Sequence, residues 1–86
     1  MTSDLAFRVA MLNALCAALE RRDEVMSAVW ASESDEDANA ALGRLLQCDD
    51  VAAQAVLDMS WRRLTQERRS GIAQERDERA AELAGG

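Results

Sequence analysis

DDVAAQAVLDMSWRRLT, residues 49–65, is the stretch whose reading decides the fold. A short carboxylate from Asp49 or Asp50 can cap a helix start, because its oxygen accepts a bond from a free backbone N–H two or three residues on. Ala53, Leu57, Trp61 and Leu64 then run along one edge, and Ala52, Val56 and Met59 run about a third of a turn away, with Val51 and Ala55 beside them. A surface helix carries one apolar stripe a little over ~100° wide, so a helix from 49 to 65 with this pattern expects cover on more than one side. The second cover is expected to be another subunit. Ala52, Val56 and Met59 are expected to face the chain's own first and third helices, and Leu57, Trp61 and Leu64 to lean towards the dimer seam or its edge, the alternative being Trp61 as an internal core residue.

QAVLDMSWRRLT, from Gln54 to Thr65, resembles the QAILDMRLQRLT stretch of the bacterial DNA gyrase A protein and of the matching topoisomerase IV protein. The residues that match in order and spacing are Gln54, Ala55, Leu57, Asp58, Met59, Arg63, Leu64 and Thr65. VAMLNALCAALERRDEVMSAVWAS, at 9–32, is similar to the same family's long helix, break and shorter helix, so the resemblance covers almost the whole chain. It departs at Ser60 and Trp61, where the family tends to have Arg and Leu, and at Gln66, where it tends to have Gly. The resemblance implies the far end of coiled-coil arms, the exit gate where two gyrase A proteins meet. It also implies a homodimer, with gyrase or topoisomerase subunits as further partners, and the apolar pattern together with the interface chemistry of Trp offers Ala53, Leu57, Trp61, Leu64 and Trp30 as the partner-interface residues.

Eighty-six residues make one domain and bury only about 60–65% of the unfolded surface, so association would add useful burial. Abundant alanine, three aromatic residues and no proline favour helix over strand. All ten basic residues are Arg, which reads as a genomic coding bias, and the formal net charge of −6 argues against a protein that wraps a nucleic-acid backbone. Arg62, Arg63, Arg68 and Arg69 form one basic patch at a helix junction, where cations near a helix C-terminus have a structural explanation. A small DNA-associated regulator using that patch is the alternative it leaves open.

Taken from the start, Thr2 or Ser3 can cap a first helix, with Asp4 in its first turn. Leu5, Val9, Leu12, Cys16 and Leu19 follow the 4-3-4-3 spacing of a coiled-coil seam. Phe7, Met11, Ala14, Leu15 and Ala18 widen that stripe, and Asn13 is expected to be exposed. Periodicity alone allows a single helix from 3 to 31. The family resemblance favours two, with Asp23 capping a second that holds Val25, Met26, Val29 and Trp30, the Trp as a lid on the core or as a partner contact. SESDED, at 32–37, is a loop and cap signal: Ser34 with Asp37 approximates a capping box for a third helix over about 35–46, which buries Ala38, Ala41, Leu42, Leu45 and Leu46.

Thr65 can cap a last helix whose thin apolar edge is Ile72, Ala73, Ala80 and Leu83. Glu75 and Arg79 are spaced for an i,i+4 pair, Gly71 weakens the helix by roughly 1 kcal/mol, and residues 84–86 should fray. This helix needs the first one to lie on. The expected fold is all-α, four to five helices in a single domain over 1–86, with the first and last helices as a short antiparallel coiled-coil arm capped by a small dimerising bundle.

Catalytic chemistry is not evident. The family's DNA-cleaving Tyr has no counterpart, because the chain has no Tyr, and it has no His either. Cys16 and Cys48 read as small hydrophobes in a reducing compartment without ligands for zinc. The adjacent acids Asp49 and Asp50, or Glu36 and Asp37, suit helix starts, and the 32–37 run lacks the alternation and Gly of a calcium loop. No cofactor, metal or small-molecule substrate is expected. No apolar run approaches the ~20 residues of a membrane span, and a cytoplasmic location is the default. The opening Met and closing Gly-Gly favour a natural short frame, the other reading being a piece of a full topoisomerase subunit.

Overall fold

The computed structural model describes residues 2–59 and 65–85. Among them are five helices: α1 (Thr2–Glu20), α2 (Arg22–Ala31), α3 (Asp35–Leu46), α4 (Asp50–Leu57) and α5 (Gln66–Gly85). The fold is all-α, and the described residues contain no strand. α1 is the spine. It packs along α5 on one side and against α4 on another, while α3 joins α4 to α2.

Local chemistry explains most of the boundaries. The Ser34 hydroxyl accepts a bond from Asp37 N at 3.1 Å, and the Asp49 carboxylate accepts one from Ala52 N at 2.9 Å, so both caps satisfy a donor that the first turn leaves free. Thr65 Oγ1 does the same for Arg68 N at 3.3 Å. α3 ends with Gln47 in the left-handed region, φ 53°, where Cys48 N bonds back to Gly43 O at 3.1 Å. That turn brings Cys48 O within 3.3 Å of where a Cβ on residue 43 would sit, which accounts for glycine there. The side chains of Thr2 and Ser3, expected to cap α1, lie outside the described residues.

α1 and α2 are separate helices, but Asp23 does not cap the second. The bend falls at Arg21 (φ −115°, ψ 38°), and Asp23 lies inside the first turn of α2. Arg21 N still bonds Ala17 O and Val25 N still bonds Arg21 O, both at 3.0 Å, so the backbone ladder is nearly continuous through the bend. The Arg21 side chain fixes the angle. Its Nη1 donates to Leu45 O at 2.9 Å, satisfying a carbonyl that the end of α3 leaves free, while its other nitrogens hold Glu24 at 2.6 and 3.0 Å.

The core lies where α1 to α4 meet. Ala18, Val25, Leu42, Ala53 and Val56 form its fully enclosed centre, with Leu15, Ala28, Leu45, Leu46, Cys48 and Leu57 packed around them. The apolar spacing read on α1 is matched by its burial: Leu12 and Cys16 are buried, Leu5, Val9 and Leu19 are half-buried, and Asn13 is exposed. α5 contributes no buried residue, yet Ile72, Ala73, Ala80 and Leu83 are its half-buried edge, as the spacing predicts. Cys16 and Leu19, late in α1, share a niche with Arg69, Ala73 and Arg76, early in α5, so the two helices run antiparallel.

Four expectations need correction. The helix that begins at Asp50 ends at Leu57, not at 65: Asp58 N bonds Gln54 O, and Met59 N turns in to Val56 O at 3.2 Å, a tightened last turn. Ala53, expected at the partner edge, is completely enclosed in the chain's own core, because α4 packs on α1 and α3 with its alanine face inward. Arg79 pairs with Glu82 at 2.7 Å and Glu78 at 3.7 Å in place of Glu75. Exposed pairs of this kind differ little in energy, so side-chain rotamer decides among nearby carboxylates. Finally, α5 remains helical through Gly85 where fraying was expected from 84.

Candidate interaction surface

α2 has two apolar stripes. Val25 and Ala28, three residues apart, face the core, Val25 being 1% exposed. Met26 and Trp30, spaced i, i+4, occupy the outer side and are 54% and 91% exposed, with Val29 at its edge, 37% exposed. Trp30 therefore does not lid the core. With Val25 and Ala28 turned inward, Met26 and Trp30, four residues apart, fall on the outer face, and Val29 lies on the boundary between the two. A nearly bare Trp beside Met and Val forms an apolar patch of the kind that marks a contact surface on a small protein.

The other residues expected at an interface are dispersed. Leu57 is half-buried against the core, and Trp61 and Leu64 lie outside the described residues, as do Arg62 and Arg63. Arg68 and Arg69 are exposed on the first turn of α5. Only this second half of the basic patch is placed by the structure. Ala52 and Val56 are buried, as expected for the inward face of α4, with Met59 half-buried beyond its end.

A groove of about 810 Å³ runs between α3 and α4. Met11, Val51 and Ala55 supply apolar surface, and Val51 is 52% exposed. Asp35 and Glu36 stand on the α3 side, Asp50 and Asp58 on the α4 side. Asn39 bridges the helices, its amide donating to Asp50 O at 3.1 Å and to Gln54 Oε1 at 3.4 Å, and Gln54 Nε2 donates in turn to Asp58 Oδ1 at 3.0 Å. Sequence reading missed this groove. It depends on which turns of α3 and α4 lie side by side, which no local spacing reveals.

The thiols are poorly placed for reactivity. Burial pushes the Cys16 thiol up, against the pull of the Arg76 guanidinium, and burial again, then Asp49, pushes Cys48 up. Both are free cysteines and stay protonated at neutral pH. Among the described residues no group of Cys, Asp or Glu is arranged to hold a metal ion, and no helix is long and apolar enough to cross a membrane.

What these residues define is an all-α chain with a helical hairpin, a small helical cap and an outward Trp stripe. Its sequence is similar to one region of a far larger protein, the gyrase A protein. It is 40% identical over 77 residues to the DNA gyrase A protein of Mycolicibacterium smegmatis, covering 90% of this chain. It is 39% identical over 77 residues to the same protein of Streptococcus pneumoniae and 37% identical over 76 to that of Streptomyces coelicolor. The chain spans 9% of the length of these curated relatives. No protein-family model matches it.

Proposed function

We infer that the chain is a non-catalytic helical interaction module, similar to the exit-gate end of the gyrase A protein, that pairs with a second copy of itself and contacts DNA topoisomerase subunits of the type it resembles. The observation that carries this reading is Trp30, 91% exposed on the same face as Met26, with Val29 at the edge of that face. Trp is over-represented at the energetic centres of interfaces, and a two-fold axis beside this stripe would let each copy cover the other's patch. Similarity to a region of the gyrase A protein supports a topoisomerase context. The absence of Tyr and His from the sequence, together with raised thiol pKa values, supports a role without catalysis.

Sedimentation tests the pairing. The wild-type chain at tens of micromolar should sediment as a dimer, and Trp30→Arg should sediment as a monomer with an unchanged helical spectrum, since residue 30 lies outside the core. A wild-type mass equal to one chain, or a Trp30→Arg mass equal to two, overturns the reading. The small share of each relative that is matched favours a second reading, a piece of a full topoisomerase subunit. Sequencing the gene on both sides of this frame distinguishes the two.

A further inference from the structure

We propose that the groove between α3 and α4 receives a cationic segment of another protein, one that presents arginine or lysine on both sides of an apolar side chain. The groove's chemistry is one-sided. Among the described residues its charged lining is entirely acidic, and none of Asp35, Glu36, Asp50 and Asp58 has a salt-bridge partner there, whereas Glu24, Asp77, Glu78 and Glu82 all do. Ionised carboxylates only accept hydrogen bonds, and both amide hydrogens of Asn39 are already directed at Asp50 O and Gln54 Oε1. The unused hydrogen-bonding capacity is therefore almost all acceptor, and a donor-rich cation complements it.

Helix starts account for part of this charge, but not for all of it. Asp35 and Glu36 lie in the first turn of α3 and Asp50 in that of α4, where the positive end of the dipole favours them. Asp58 sits at the opposite end of α4, where the dipole disfavours a carboxylate, and among the described residues it receives one side-chain bond, from Gln54. An incoming cation would relieve that site. The exposed Val51 and the Met11 floor supply the apolar contact that turns charge attraction into a defined register. Copies carrying −6 each repel on this acidic side, which favours a different, basic partner over a second copy.

The probe is a short synthetic peptide in which arginines flank leucines, titrated into the full 15N-labelled chain, with a glutamate-for-arginine peptide as control. Amide shifts should concentrate at Met11, Asn39, Val51 and Ala55, and affinity should fall as salt rises from about 0.05 to about 0.5 M. Asp50→Asn/Asp58→Asn should weaken binding by about tenfold or more, a change of the size expected when two charge contacts are lost. The same charge change on α5, Glu67→Gln/Glu75→Gln, should leave binding within about twofold, because those carboxylates lie outside the groove. The amide oxygen introduced by Asp58→Asn can still accept from Gln54, so the end of α4 is retained. Equal loss in the two double variants, shifts spread over α5, or no binding at low salt would overturn the proposal. So would a changed sedimentation mass in Asp50→Asn/Asp58→Asn, which would place a second copy in the groove.

Discussion

Leu42→Ala is the sharpest test of where the core lies. Leu42 is fully enclosed, and two of its companions in the enclosed centre, Ala18 and Ala53, are too short to swing into a vacated space. The lost transfer free energy of the missing methyl and methylene groups is roughly 2 kcal/mol at about 0.8 kcal/mol per group. A cavity that cannot collapse adds to this, so the total should lie in the upper part of the range for such substitutions, about 4 kcal/mol. An 86-residue domain has about 4–13 kcal/mol in all, and each kcal/mol moves the midpoint by about 4–8 °C at this size. The variant should therefore melt roughly 15–30 °C below wild type, or be unfolded at room temperature if the parent is near the lower bound. Far-ultraviolet circular dichroism against temperature and urea reads both quantities. A loss of less than about 1.5 kcal/mol with an unchanged urea slope would refute the reasoning, because it would mean that the neighbours close over the gap or that the site is not enclosed.

Two further outcomes follow from the same packing and from the Arg21 clamp. Ala53→Leu, at a position with no exposed surface, should cost about 1–3 kcal/mol through overpacking; an unchanged melt with an altered sedimentation mass would return Ala53 to the partner interface. The Glu24 carboxyl is held below its ordinary value by the hydrogen bond from Arg21, which outweighs the opposing desolvation, with the Arg21 charge adding a lesser pull in the same direction. A depressed folded value means that the contribution is present above the unfolded value, about 4.3, and is lost as pH falls through the folded one. Stability plotted against pH should therefore fall less steeply below about pH 5 in Glu24→Gln than in wild type, and an identical acid limb in chemical denaturation would count against the clamp.

The parts of this fold that are legible in the sequence are those set by chemistry within one or two turns. Ser34, Asp49 and Thr65 each cap the helix that their position announces, and α3 occupies the range that its spacing predicts. The 4-3 pattern from Leu5 to Leu19 likewise finds its burial in α1. What could not be read depends on contacts distant in sequence. The donation from Arg21 to Leu45 O spans 24 residues, and nothing in the local pattern at 20–23 marks Arg21, rather than Asp23, as the residue that sets the bend. The end of α4 at Leu57 carries no Gly or Pro, so apolar spacing ran on past it to 64.

Trp30 shows why an apolar pattern can be read correctly and its direction missed. Residues 25, 26, 29 and 30 are all apolar, and the i, i+4 spacing alone permits either Val25 with Val29 or Met26 with Trp30 to face inward. The choice is made by the rest of the core, whose enclosed centre contains two alanines among its five residues and whose largest fully buried side chains are Leu42, Val25 and Val56. Alanines in the enclosed centre let helices approach closely, and the molecule measures 42 × 27 × 15 Å, at its thinnest little more than one helix diameter of about 10–12 Å. A space built to that scale takes a valine from α2 and excludes an indole. The large side chain is displaced to the outer face by the closeness of the packing beneath it, and the compactness of the core and the exposed stripe on α2 thus have one physical cause.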